Sequence, residues 1–292
     1  MEKIDKIIFG DNQFFGINHR SQEKAEELLK RFSDVHNILK VYDDAFSCGI
    51  KAVMLNSNDR AEEICQYFRD HKEQYGDVAW YPSVPYPHKY ADMVNELGIF
   101  PAINEVLFKG NSVGGVLGML GKGAAAVFTK DAMRMMEMLL DVEFKIYRGL
   151  NVKCFFLLNP ITDLVLGYNI KDVFEHYCEY VRKKYKVLPG FITLNMPYLK
   201  RKLEEWGIED VVICSTINKA GFNMFPSKEE YEKAIAENDP EKYQLMAMSP
   251  LASGSISPEE SFDYINGLNL QSVVFGASSK NHIASSVELI KL

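Results

Sequence analysis

The residues of this chain that are best suited to chemistry stand directly after short apolar runs. Asp11 follows KIIFG, Asp59 comes just after KAVMLN, Asn159 follows VKCFFLL, and Lys219 lies three residues beyond DVVICST. A carboxylate can exchange protons, an amide can orient a ligand, and a partly buried amine can form a Schiff base. We therefore take these four as candidate catalytic residues. Asp59 or its neighbour Asn58 could instead cap a helix, and Lys219 could be a solvated loop lysine.

Metal and nucleophile motifs are absent from the sequence. The six histidines show no His-x-His or His-Glu-x-x-His spacing, the five cysteines form no Cys-x-x-Cys, and there is no Gly-x-Ser-x-Gly. The glycine-rich stretch from Gly110 to Gly123 is not a P-loop, because Gly123 follows Lys122 where a serine or threonine would bind magnesium. We expect no metal cofactor, and we expect reduced thiols in a cytoplasmic protein.

Two further groups of small and hydroxylated residues follow the last two apolar runs. Ser249 and Ser253 follow LMAM, whereas Ser278 and Ser279 follow SVVF and precede a segment of helical spacing. A strand, a Gly/Ser turn and a helix start together direct free backbone N–H groups at an anion. The pattern predicts a small anionic ligand here. An ordinary turn with a serine N-cap is the alternative for each loop.

Short β-branched runs alternate with segments of helical period, and these are the elements that must position the candidate residues. The runs are continuously apolar, as expected for parallel strands covered on both faces. Eight such units in 292 residues predict a single (β/α)₈ TIM barrel over 1–292. The strand candidates are KIIFGD, KAVMLN, VAWYPSV, VKCFFLLN, GFITLN, DVVICSTI, YQLMAMS and QSVVFGAS. The helical patterns are Gln22 to Cys48, Arg60 to Tyr75, Ile170 to Lys186, Pro197 to Trp206, Ser227 to Glu237, Pro258 to Asn266 and Lys280 to Ile290.

A long connection between the third and fourth strands interrupts the repeat, and its helical, glycine-rich part spans residues 100–150. From Thr129 it predicts a helix with a methionine-rich stripe, which is typical of a core or an oligomer contact. The glycine-rich part could be a mobile loop over the barrel mouth or a surface for homo-oligomer formation.

The overall charge excludes some partners. The formal net charge is −7 and no large basic cluster occurs, which argues against nucleic acid. The chain has no apolar signal core near Met1 and no window of about 20 apolar residues, so we expect neither export nor a membrane span.

The motifs at the end of the chain resemble those of the aldo/keto reductases. MAMSPLASG and VVFGASSKNHI are similar to that family's loops after strands 7 and 8, and TLNMPYLKRKLEEWGI is similar to its strand 5 and the following helix. DDAFSCGIKAVMLNSNDRAEEI and FGDNQFFGIN are weaker matches near the start. The resemblance covers most of the chain outside the long insertion, and it implies a barrel that binds NADP.

Residue by residue, the resemblance implies a set of cofactor contacts but not the family's chemistry. The implied contacts are Asn195 on the nicotinamide amide, Ser249, Leu251 and Ser253 on the pyrophosphate, and Ser278, Ser279 and His282 on the adenosine phosphate side. The family's catalytic aspartate, tyrosine, lysine and histidine fall on Met54, Asp59, Pro82 or Ser83, and Asn159. All four positions have lost the expected group, so tyrosine-driven carbonyl reduction is not expected.

Three functions remain open from the sequence. The first is an oxidoreductase-like enzyme that keeps an NAD(P) or phosphate site and uses other catalytic groups, such as Asp11 or Asp59. The second is a Schiff-base lyase or aldolase that acts through Lys219 on a phosphorylated metabolite. The third is a catalytically silent ligand-binding or assembly protein, with the insertion as a partner surface.

Overall fold

Eight parallel strands form a closed barrel in the computed structural model, which describes residues 2–16, 22–85 and 130–292. The barrel runs in chain order around the ring, and β1 closes it by pairing with β8 in the register Ile7–Val273 and Phe9–Phe275. The predicted TIM barrel is therefore confirmed. The strands are β1 (Ile7–Phe9), β2 (Ala52–Asn56), β3 (Ala79–Val84), β4 (Asn151–Val152 and Cys154–Leu157), β5 (Leu188–Thr193), β6 (Val211–Thr216), β7 (Tyr243–Met248) and β8 (Ser272–Phe275).

Helices cover the outside of the barrel, and most follow the predicted segments. They are α1 (Gln22–Arg31), α2 (Val35–Ser47), α3 (Ala61–Asp70), α4 (Lys130–Lys145), α5 (Asn159–Gly167), α6 (Lys171–Tyr180), α7 (Met196–Trp206), α8 (Lys228–Ala236), α9 (Pro258–Asn266) and α10 (Lys280–Leu289). The segment from Gln22 to Cys48, predicted as one helical pattern, forms two helices. The second begins after Asp34, whose side chain accepts a hydrogen bond from the backbone N–H of His36 and caps α2.

Side chains alternate between two apolar layers along each strand. One layer fills the barrel interior with residues such as Ile8, Met54 and Phe156, and the other packs the outer face of the sheet against the helices. Gly190 gives the interior room for a large ring. A Cβ atom on this glycine would lie 2.4 Å from Cδ1 of Phe156 and 2.7 Å from Sγ of Cys154.

The segment before β1 closes the bottom of the barrel. The backbone N–H of Ile4 donates to Oε1 of Gln244, and the hydroxyl of Ser272 donates to the carbonyl oxygen of Asp5. The Tyr81 hydroxyl, inside the barrel, donates to Oδ2 of Asp5 at 2.6 Å. The opposite end, where the strands finish, is thus the open end of the barrel.

Part of the predicted insertion lies within the described residues. The helix predicted from Thr129 is α4, and its Met133, Met136 and Phe144 pack against the outer apolar layer. The stretch from Gly110 to Gly123 lies outside the described residues. No helix within the described ranges is long and apolar enough to cross a membrane.

Candidate functional site

The loops after β7 and β8 lie side by side at the open end of the barrel. These strands pair in parallel, with Met246 opposite Ser272 and Ala247 opposite Val273, so their following loops leave the sheet together. The helices that follow, α9 and α10, also pack against each other. The two serine-containing loops predicted as one anion site are therefore neighbours in space.

The β7 loop has an unusual backbone for non-glycine residues. Ser249, Ala252 and Ser253 have φ angles of 52°, 44° and 57°, and Gly254 follows at 80°. Left-handed conformations cost about 1 kcal/mol or more for residues with a Cβ. Successive right- and left-handed residues turn their backbone N–H groups into a concave surface that binds anions. Leu251, at φ −82° and ψ 3°, precedes the left-handed pair and completes this geometry.

The β8 loop ends at the N terminus of α10. Oγ of Ser279 caps the helix by accepting from the backbone N–H of His282. The remaining N–H groups of a first helical turn have no intrahelical partner and carry a partial positive charge. Exposed cationic or protonatable side chains surround this helix start: Lys280, His282 and Arg31, whose guanidinium donates to the Ser278 carbonyl oxygen at 2.7 Å. The serine N-cap and the anion site, posed as alternatives, are compatible here.

The end of β5 holds a hydrogen-bonded chain that orients Asn195. Oδ1 of Asn195 accepts from the backbone N–H of Tyr198 and caps α7, and its own backbone N–H donates to Oγ1 of Thr193. The Thr193 hydroxyl in turn donates to the carboxylate of Asp163, which also accepts from the backbone N–H of Leu194. Burial raises the pKa of Asp163, although these two hydrogen bonds oppose the shift.

Sequence reasoning missed Asp163 because it overlooked α5. The segment NPITDLVLG is short and directly follows a strand, but Pro160 near the helix start was the available signal.

None of the four positions where the resemblance places catalytic residues holds the expected group, and Asp59 is the one charged residue among them. Met54 is buried among the apolar interior residues, Pro82 and Ser83 lie within β3, and Asn159 is the first residue of α5. Asp59 is exposed just before α3. Its neighbour Asn58 accepts from the backbone N–H of Arg60 at 2.8 Å, which forms a turn before α3, but no side-chain hydrogen bond caps that helix.

Asp11 is buried on the helix side of the sheet. Its Oδ2 accepts from the backbone N–H of Asn56 at 2.8 Å, which extends the contact between the ends of β1 and β2. Burial raises the pKa of Asp11 to about 7, against the lowering effect of that hydrogen bond. Burial and the Asp11 carboxylate together raise the pKa of Tyr42, a residue of the outer apolar layer. The catalytic role predicted for Asp11 stays a prediction.

Lys219 is exposed in the loop after β6, and its amine pairs with the carboxylate of Glu260 on α9. A Schiff-base lysine typically lies in a partly buried site, and Lys219 is exposed. The placement thus gives no support to the lyase alternative. Within the described ranges there is also no group of three or more histidine, cysteine, aspartate or glutamate residues that could hold a metal.

Comparison with solved structures identifies the fold as that of the aldo-keto reductases. A candidate aldo-keto reductase from Pseudomonas aeruginosa is 13% identical at a TM-score of 0.60, covering 98% of this chain and 90% of that one. The Bombyx mori aldo-keto reductase in complex with NADP is 10% identical at 0.58, covering 99% and 85%. Aldo-keto reductase AKR11C1 from Bacillus halodurans is 11% identical at 0.56, covering 98% and 87%. No family model and no curated protein matches the sequence. At these identities the likeness establishes the fold alone.

Proposed function

We propose that this protein binds an NADP-type dinucleotide at the loops after β7 and β8. The observation that carries the proposal is the side-by-side placement of the concave, left-handed β7 loop and the cationic N terminus of α10. Each feature favours a phosphate group, and a dinucleotide carries several. The Bombyx mori enzyme of the same fold has been solved in complex with NADP.

The residues of the site fit the cofactor on its phosphate side. Backbone N–H groups near Ser249, Leu251 and Ser253 would hold the pyrophosphate, whereas Ser278, Ser279 and His282 would face the adenosine phosphate. Asn195, fixed by its own hydrogen-bonded chain, would hold the nicotinamide amide. A nicotinamide dinucleotide supplies hydride chemistry when bound.

We further propose that the protein does not carry out tyrosine-assisted carbonyl reduction. Met54 and Asn159 cannot serve as the acid or base, and the carboxylate of Asp59 is exposed outside the apolar interior. The second candidate function is therefore a catalytically silent dinucleotide-binding protein. The observation that favours it is that Met54, Asn159 and the pair Pro82 and Ser83 stand where the family's catalytic aspartate, histidine and lysine would be.

Titration of the protein with NADPH, NADH and pyrophosphate, followed by nicotinamide fluorescence and thermal shift, tests the proposal. Saturable NADPH binding is expected. Lys280→Glu is expected to weaken it by about three- to tenfold, because a negative charge at the start of α10 opposes the phosphate. Lys233→Glu, an exposed lysine on α8, makes the same change in net charge elsewhere and is the matched control.

The outcomes separate the alternatives. A protein that responds to neither dinucleotide contradicts the proposal, and so does equal weakening by both lysine variants. If NADPH binds, its oxidation in the presence of small aldehydes distinguishes an enzyme from a silent binder. Steady oxidation of NADPH would contradict the proposal of a catalytically silent dinucleotide-binding protein.

A further inference from the structure

Three uncharged polar side chains face into the barrel at the ends of their strands. The interior layer contains Met54 of β2, Tyr81 of β3 and Cys214 of β6. Because side chains alternate along a strand, the residue two positions later on each of these strands also faces inward. These inward-facing residues are 5%, 4% and 3% exposed, and they are Asn56, Ser83 and Thr216.

The polar residues stand on an apolar floor just below the open end. The four even-numbered strands each supply one residue to an apolar layer of the interior, and these are Met54, Phe156, Cys214 and Val274. Two residues later, where the same strands end, the next layer consists of Asn56, Leu158, Thr216 and Gly276. Ser83 adjoins this layer, because it pairs directly with Asn56 across β2 and β3. No residue of either layer carries a charge.

The amide nitrogen of Asn56 is fixed in orientation and has no hydrogen-bond partner among the described residues. Oδ1 of Asn58 accepts from the backbone N–H of Arg60, so Nδ2 of Asn58 is the atom that donates to Oδ1 of Asn56 at 2.8 Å. The oxygen of the Asn56 amide is thus held, and its Nδ2 is left unpaired. Within the same part of the chain, the hydroxyls of Ser83 and Thr216 also make no hydrogen bond.

These unpaired groups remain in contact with open space. The unpaired side-chain atoms that are completely shut off from solvent, among the residues described, belong to other positions. Polar groups in deeply buried residues normally have hydrogen-bond partners, because desolvation without one costs free energy. A ligand that enters from the open end can supply the partners. An ionised ligand group would find no counter-charge in these layers, whereas a neutral one needs none.

We propose that Asn56 and Ser83 bind a neutral group that both accepts and donates hydrogen bonds, with a carboxamide as the matching chemistry. Its oxygen accepts from Nδ2 of Asn56, and its N–H donates to the neighbouring Ser83 hydroxyl. Thr216, four strands further round the ring, offers a further hydroxyl to a larger ligand. The site uses different residues from the phosphate site, and it does not rest on the proposed dinucleotide.

Acetamide and acetate, titrated in the millimolar range into isotope-labelled protein, test the proposal through the side-chain NH₂ signals of Asn56 in NMR spectra. The two probes have nearly the same shape and differ in charge. Acetamide is expected to shift the signals in a saturable way, and acetate is not. Ser83→Ala is expected to weaken acetamide binding by about three- to tenfold, the equivalent of one hydrogen bond. Ser47→Ala, on the exposed face of α2, is the matched control and should change nothing.

Each outcome decides the assignment. Signals that respond to neither probe would mean that water alone occupies the layer, and an equal response to acetate would mean that the layer does not select a neutral group. Either result overturns the proposal. Melting temperatures separate ligand binding from a structural role. Because the Ser83 hydroxyl has no partner, Ser83→Ala is expected to keep or raise the melting temperature, and a clear fall would overturn the assignment. None of these results depends on whether NADPH binds.

Discussion

At the scale of single residues, Asp11 shows how burial converts a carboxyl group into a pH-dependent element of stability. It is 5% exposed and receives one backbone hydrogen bond from Asn56. Burial disfavours its charged form more than the hydrogen bond favours it, and the pKa rises from 3.8 to about 7. Between about pH 4 and pH 7, the folded protein therefore keeps on Asp11 a proton that the unfolded chain has released.

We expect Asp11→Asn to flatten the dependence of stability on pH. A carboxyl group whose pKa is raised by folding contributes stability that is fully present below about pH 4. That stability is lost by about 1.4 kcal/mol per pH unit as the pH rises toward 7. Asparagine can still accept from Asn56 and carries no charge. Urea unfolding at pH 4.5, 6 and 7.5 should show the variant gaining several kcal/mol on wild type as the pH rises. Asp59→Asn removes an exposed carboxyl group, and its curve should run parallel to that of wild type. Parallel curves for Asp11→Asn would contradict the expectation.

Sequence could place some site residues and not others. Ser279 was recognisable as a helix start because Gly276 to Ser279 separates a strand from a helical period, and the structure has it as the N-cap of α10. For Asp11 the sequence predicts a residue just after a strand, but not which face of the sheet it occupies. That face depends on register, which a one-residue shift reverses.

At the scale of elements, α4 is joined to α6 by one carboxylate. Asp141 on α4 accepts from the hydroxyls of Tyr180 at 2.9 Å and Tyr185 at 2.7 Å, and it pairs with Lys184. Burial acts to raise the pKa of Asp141, but the hydrogen bonds from these residues outweigh it and lower the pKa. The ring of Phe144 stacks on Tyr185 at 3.9 Å, and further along the chain Tyr147 donates to the Leu55 carbonyl oxygen.

We expect Asp141→Ala to loosen α4 without unfolding the barrel. The variant leaves two hydroxyls and one amine without their common acceptor, at a cost of about 1–3 kcal/mol that is reduced by partial exposure. Hydrogen exchange measured by mass spectrometry should become faster in Lys130–Lys145 and stay unchanged in β6 to β8. Glu179→Ala on the exposed face of α6 is the control. Faster exchange throughout the chain would show instead that α4 and the barrel unfold as one unit.

Elements of the repeating βα pattern were predictable, and the exceptions have local causes. All eight strands overlap the predicted runs, with β4 beginning one residue and β5 two residues earlier, because continuous apolar sequence is a strong signal for parallel strands covered on both faces. The helical pattern predicted from Arg60 to Tyr75 breaks at His71, where α3 ends and a separate turn, Lys72–Tyr75, begins. Hydrophobic periodicity alone does not reveal a break between two helices when the same face stays buried across it.

At the scale of the whole molecule, the barrel is tied together at its bottom by the segment before β1. The Tyr81 hydroxyl both donates to the Asp5 carboxylate and accepts from the Asp5 backbone N–H at 2.9 Å. Tyr81→Phe is expected to lower the free energy of unfolding by about 1–3 kcal/mol, because both Asp5 groups lose their partner. Urea denaturation measures the change. Tyr198→Phe, on the partly exposed face of α7, should alter it little. A similar loss in both variants would rule out a special role for the bottom closure.

The closure of β1 onto β8 has a consequence for how the protein is made. Ile4 and Asp5 bond to Gln244 and Ser272, more than two hundred residues away, and β1 has β8 as one of its two neighbours. During synthesis these partners do not exist until more than two hundred further residues have been made. The first strand must therefore wait for them with one edge uncovered. Chaperone binding to the nascent N-terminal segment would protect that edge until the ring can close.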